Sequence, residues 1–147
     1  MQGTNRILPT LIATMALIGF SNSLLAQQSS DLRQSCVVLT NTSLPDTTIS
    51  SAEVIEANSF TSSGANSTLI TPAFCRVVGI TSPQVNFEVW LPIDNWNGKY
   101  NGVGNGGMAG VISYAAMAGA LNRGYATAST DTGHDARGGV FDASWAY

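Results

Sequence analysis

Between Tyr100 and Ile112 the chain carries its densest run of residues able to bring main-chain amides close to a reacting atom: Gly102-Val103-Gly104-Asn105-Gly106-Gly107-Met108-Ala109-Gly110. Two chemistries fit. Gly102, Gly104 and Gly107 match G-x-G-x-x-G, and Asp131 follows downstream, as in a dinucleotide-binding fingerprint. That motif needs an apolar strand before it and a helix N-terminus directly after it, where the pyrophosphate sits. Here Lys99-Tyr100-Asn101 precedes it, and about six residues separate Gly107 from the next helical pattern, so the context is poor. In the other chemistry, Gly106 and Gly107 lack side chains, tolerate positive φ and let a carbonyl oxygen reach their N–H groups. Such donors stabilise negative charge developing on a carbonyl oxygen. The same glycines also suit a turn without a ligand, and spacing alone leaves these two readings open. Met108 could line a ligand pocket or fill core.

His134 is the only histidine. It ends a predicted strand, beside Asp131 and Asp135, and in open α/β sheets that edge faces the ligand crevice. One His and two Asp need further ligands to make a metal site. His134 therefore reads as a hydrogen-bonding residue at the strand end or as pocket lining, with Asp131 bracing the same turn. Trp90, Trp96 and Trp145 could stack on an aromatic group or pack internally; packing against the N-terminal arm is the simpler reading for Trp90.

The whole chain bounds these options. It has 147 residues, six Lys+Arg against nine Asp+Glu, a net charge of -3, 44% hydrophobic and 10% charged residues. Soluble domains average about a quarter charged. No clustered basic surface exists to release counterions, so a nucleic-acid partner is excluded. Two cysteines exclude a disulfide-dense scaffold and a four-cysteine zinc site.

Arg6, an apolar stretch from Ile7 to Phe20, and small residues up to Ala26 form a secretory signal peptide pattern over residues 1–26. Pro9, Gly19 and Ser21-Asn22-Ser23 argue against a spanning helix of roughly 20 apolar residues. We expect an exported chain with no membrane association after cleavage. In an oxidising compartment Cys36 and Cys75 can pair; buried thiols or other bonding partners are the alternatives.

The elements that must position the glycine run come next. Residues 27–35 read as a loose leader, and residues 27–73 as an N-terminal arm with one strand over 47–55. From residue 74 the pattern sharpens. Arg76–Thr81 is β-rich, Ser82-Pro83-Gln84 turns, and Val85, Phe87, Val89 and Leu91 alternate with Asn86, Glu88 and Trp90, which predicts an antiparallel hairpin. Lys99–Val103 is a third core strand. Tyr114, Met117, Ala118 and Leu121 share one helical face, with Ser113 as a candidate cap and Gly124 at the stop. Tyr125–Thr130 is a buried strand. Strand, glycine loop, helix and strand predict a parallel pair and an α/β sheet. One helix cannot cover both faces of such a sheet, so residues 74–147 read as part of a larger domain.

Phe74-Cys75-Arg76-Val77, Phe87-Glu88-Val89-Trp90-Leu91-Pro92, Trp96-Asn97-Gly98-Lys99, the glycine run, Ile112-Ser113-Tyr114, Gly124-Tyr125-Ala126 and Ser129-Thr130-Asp131-Thr132-Gly133-His134 together resemble the N-terminal part of the tannase/feruloyl esterase family. The resemblance is dense from Phe74 to His134. It implies an incomplete α/β-hydrolase fold: the N-terminal strands, the glycine loop and the first helix. It also implies a secreted serine carboxylesterase with a small-molecule aromatic ester substrate of feruloyl or galloyl type. Its Ser-Asp-His triad, its disulfide beside the triad, and a lid commonly holding structural calcium lie later in the family chain. None of the triad is present here, and no Ser lies in G-x-S-x-G. No other cofactor is implied. Cys36 and Cys75 match the family's N-terminal cysteine pair. Gly106 and Gly107 are the positions to which an oxyanion role transfers. A dinucleotide-binding module and a non-catalytic secreted binding module are the competing classes.

Overall fold

The β-rich run and the alternating run build an antiparallel hairpin in the computed structural model of the chain: β2 (Phe74–Thr81) and β3 (Val85–Pro92), registered with Thr81 opposite Val85 and Phe74 opposite Pro92. The structure describes residues 12–62, 67–108, 110–134, 141 and 143–146. β1 (Thr47–Ile55) pairs antiparallel with β2, β5 (Ala126–Thr130) pairs antiparallel with β3, and β4 (Tyr100–Val103) pairs parallel with β5. The sheet order is β1-β2-β3-β5-β4. β4 and β5 are joined through α2 (Tyr114–Leu121), the crossover that a parallel pair requires. Because they run in the same direction, the glycine loop after β4 and the Asp131–His134 turn after β5 leave the sheet at one edge.

Each face of the sheet carries an apolar cluster. Phe74 and Trp90 pack with Phe60 and with Met117, Ala118 and Leu121 of α2. On the opposite face Cys36, Cys75, Val77 and Ile93 pack with Leu39, Val89 and Leu91. Period two in β3 separates the two sides correctly. The side carrying Glu88 and Trp90, which reads as polar, is nevertheless the more deeply buried: Glu88 is 3% and Trp90 0% exposed. Trp90 packs against Phe60 of the arm, with ring centroids 4.7 Å apart, as the simpler reading expects. Glu88 is tolerated there because every neighbour donates to it. Arg76 Nε and Trp90 Nε1 each lie 2.9 Å from its Oε2, Arg76 Nη2 reaches Oε1, and the Tyr114 hydroxyl lies 3.0 Å from Oε1.

The helix α1 (Ile12–Val37) includes residues 27–35, which are therefore helical and not a loose leader. Gln27 Nε2 donates to Asp31 one turn on, and the Ser29 and Ser30 hydroxyls donate back to Ala26 and Gln27 carbonyls. Arg33 pairs with Glu56, and that hydrogen bond holds the Glu56 carboxyl below its ordinary range. Cys36 is bonded to Cys75, which ties the helix to β2. These tethers supply what a sequence window cannot register. Residues 1–11, where the signal-peptide reading begins, lie outside the described residues, as do Gly64 and Asn66 of the arm. No helix among the described residues is long and apolar enough to cross a membrane.

Gly124 and Gly79 are two of the glycines that meet other backbone closely. Gly124 has φ +80° and faces the Asn95 carbonyl oxygen, 2.6 Å from where a Cβ would stand, so the α2 stop falls where expected. Ser113, by contrast, makes no side-chain capping bond, although its carbonyl accepts the Met117 N–H at 3.0 Å. At Gly79 a Cβ would stand 2.4 Å from the Phe87 ring and 2.8 Å from the Thr48 carbonyl oxygen. Gly79→Ala is expected to lower folding stability by about 1–3 kcal/mol through overpacking. A urea midpoint equal to the parent's would show instead that Phe87 moves aside freely.

Candidate functional site

The glycine loop takes its shape from ties on either side of Gly106-Gly107. Asn105 Nδ2 donates to the Thr130 carbonyl at the end of β5 (2.8 Å), and Asn105 Oδ1 accepts the Ser113 hydroxyl (3.1 Å). Ser113 thus braces the loop with its side chain instead of capping α2, while its N–H donates to the buried Ser129 hydroxyl oxygen at 3.1 Å. Gly107 has φ +62°, a left-handed turn that suits glycine. Gly106 and Gly107 are exposed, and neither N–H has an acceptor among the described residues. Beyond them, the Met108 carbonyl accepts from His134 Nε2 at 2.6 Å, so that nitrogen carries a proton. Gly110 is buried against the same turn: a Cβ there would stand 2.1 Å from the His134 carbonyl oxygen.

The turn that receives the loop is itself locked. The Asp131 carboxylate accepts from the N–H groups of Gly133 and Asn86, each at 2.9 Å, and from the Asn86 side-chain amide. Gln84 Nε2 donates to the Gly133 carbonyl at 2.7 Å, and the Thr132 hydroxyl lies 3.0 Å from His134 Nδ1. Thr132 and Gly133 both have positive φ, +57° and +80°.

Gly106, Gly107, Met108 and His134 therefore share one edge of the sheet. Cys36 and Cys75 do not. Cys75 pairs with Leu91 near the far end of the hairpin, with a Cα–Cα distance of 5.7 Å to Cys36. Trp90 is in the core, and Trp96 is 62% exposed with its indole N–H on the Lys99 carbonyl. Asp135 and the Trp145 side chain lie outside the described residues. Among the described residues no group of three or more His, Cys, Asp or Glu could hold a metal ion. The dinucleotide reading finds no support: α2 starts at Tyr114, well past Gly107, and the loop between them turns toward His134. Sequence reasoning missed Asn105 and Ser113 as loop braces. A polar amide inside a glycine run was the available signal.

The family model described as tannase and feruloyl esterase matches residues 68–147, more than half of the chain. The chain belongs to the tannase and feruloyl esterase family. Among curated members it is 44% identical over 143 residues to an uncharacterized esterase of Xanthomonas campestris, covering 95% of this chain and 24% of that protein. It is 40% identical over 74 residues to a probable feruloyl esterase B-1 of Aspergillus oryzae, covering 48% of this chain and 14% of that one. The chain thus spans a quarter or less of the length of these tannase and feruloyl esterase family relatives. The crystal structure of feruloyl esterase B from Aspergillus oryzae aligns with a TM-score of 0.61 and 28% identity, over 70% of this chain and 22% of that one. A second esterase from Aspergillus oryzae aligns with a TM-score of 0.64 at 23% identity, over 70% of this chain and 23% of that one, a likeness of fold.

Proposed function

We propose that these residues form the first part of an α/β-hydrolase domain of a secreted carboxylesterase that cleaves aromatic esters of feruloyl or galloyl type. The glycine loop follows the third strand counted from Phe74 and precedes a helix, the place from which an α/β-hydrolase contributes an oxyanion donor. The observation that carries the reading is the pair of N–H groups at Gly106 and Gly107, without acceptors among the described residues, at the edge where the parallel strands β4 and β5 end.

In the complete enzyme a serine supplied by another segment attacks the ester carbonyl carbon. Its proton passes to the triad histidine, and the carbonyl oxygen gains the negative charge. The Gly106 and Gly107 amides donate to that oxygen, each lowering the barrier by about 3 kcal/mol where it is aimed correctly. Collapse of the tetrahedral species expels the alcohol, and water then releases the aromatic acid. Met108, 45% exposed directly after the glycines, and His134 line the acyl side. Structural calcium, where the enzyme holds one, is assigned to the lid. Cleavage after Ala26 and export to an oxidising compartment accord with the Cys36–Cys75 bond.

The 147-residue chain is expected to give no turnover of a chromogenic aromatic ester above a mock purification. Turnover would place the nucleophile within these residues and overturn the assignment. In the complete enzyme Gly106→Pro, which removes one N–H, is expected to lower kcat by about 10²–10³ with KM within about twofold. An unchanged kcat would remove Gly106 from the oxyanion site.

A further inference from the structure

We infer that Asn105 and His134 are positioning residues that hold Gly106-Gly107 from both sides and so fix the direction of their N–H groups. This rests on the oxyanion reading and adds what keeps that site assembled. Glycine gives the loop its close approach but also the widest backbone freedom. A donor helps catalysis only when held within about 0.5 Å of its productive place. Two consecutive, exposed glycines cannot hold themselves there.

The residues on either side do. Asn105, directly before the pair, spends its amide nitrogen on the Thr130 carbonyl and its amide oxygen on the Ser113 hydroxyl, so it is fixed to the end of β5 and to the entry of α2 together. Met108, directly after the pair, is held by its carbonyl to His134 Nε2. His134 in turn stands on a turn fixed by Asp131 to Asn86 at the start of β3. A continuous line of hydrogen bonds thus runs from β3 through Asn86, Asp131 and Gly133 to the His134 turn and the loop. Gly110 completes the seat, since any larger residue would drive the loop off the His134 carbonyl. His134 therefore acts from behind the donors, through the peptide after Gly107.

The test compares His134→Ala, His134→Gln and Asn105→Asp in three measurements on the complete enzyme. Cleavage by a non-specific protease within residues 104–110 is expected to quicken about tenfold in His134→Ala and Asn105→Asp, with amide exchange in β2 and β3 still protected, which also certifies that each variant is folded. Asn105→Asp keeps the Ser113 acceptor and replaces the donor to Thr130 by a carboxylate, so its cleavage rate reads the clamp even where the alanine variant does not fold; its added charge opposes an oxyanion, and kcat is therefore read on the His134 variants. kcat is expected to fall about 10²-fold in His134→Ala with KM nearly unchanged. His134→Gln, which can still offer an N–H to Met108, should recover part of the loss. Unchanged cleavage within 104–110 would overturn the clamp itself. Quickened cleavage with unchanged kcat would overturn the positioning role; the oxyanion reading falls with it only if Gly106→Pro also leaves kcat unchanged. An equal loss in His134→Gln and His134→Ala would overturn the assigned hydrogen bond.

Discussion

Glu88→Ala is expected to cost about 3–5 kcal/mol of folding stability, the range for removing one partner of a buried ion pair. Glu88 is 3% exposed and accepts from Arg76, Trp90 and Tyr114. Truncation leaves the buried Trp90 indole N–H without its Glu88 acceptor, and a guanidinium whose side chain is only 24% exposed. Arg76 cannot escape by losing its proton, because a guanidinium stays protonated even without its partner; in the parent the Glu88 hydrogen bond raises its pKa further. Two neighbours soften the loss: Glu53 lies 3.4 Å from Arg76 Nη1, and the Phe60 ring centre lies 5.2 Å from the guanidinium carbon. They place the expected value toward the lower end. Urea unfolding of the single variants and of the Arg76→Met/Glu88→Leu double variant separates the charge penalty from packing. The double variant should recover the part of the loss that comes from the unpaired guanidinium, since an apolar pair of similar volume replaces a buried ion pair at little cost, while Trp90 Nε1 still lacks the Glu88 acceptor. A Glu88→Ala midpoint within about 0.5 kcal/mol of the parent would mean that Arg76 swings freely to solvent.

Replacing Cys36 and Cys75 together by alanine is expected to cost about 4 kcal/mol, the chain-entropy value for the sequence separation of 39 that the bond closes. For a chain of this size that is a Tm lowered by about 10–20 °C. Both cysteines are buried, 2% and 3% exposed, so the alanines keep an apolar environment and the change reports mainly on the tether. Calorimetry of the parent with and without reductant should show a shift of the same size. If reduction moves Tm by less than about 3 °C, the docking of α1 rests on its other contacts, chiefly Arg33 with Glu56 and the Leu39 packing.

The hairpin, the crossover and the stop at Gly124 were legible because each is a local pattern: alternation, a change of period, and a glycine at a left-handed position. The depth of Glu88 was not. Alternation separates the two sides of β3 but does not say which side a helix will cover, and here α1 and α2 bring cover to both. Only the partners of Glu88, spread over β2, β3 and α2, reveal that a carboxylate belongs inside. The helicity of residues 27–35 was hidden for a related reason, since it is held by the bond to Cys75 and the pair with Glu56, both far away in sequence. At the candidate site the glycines and His134 were visible as residue types at one sheet edge. The hydrogen bond from His134 Nε2 to Met108 was not, because it depends on the close seat that Gly110 allows. The family resemblance pointed to Gly106 and Gly107, and the braces at Asn105 and Ser113 emerged only from three-dimensional placement.

The covalent staple and the glycine loop stand at opposite ends of the β2–β3 hairpin. Durability and reactivity are thereby assigned to separate addresses in the same sheet. A protein engineer can toughen one end against heat or proteases without retuning the amides at the other.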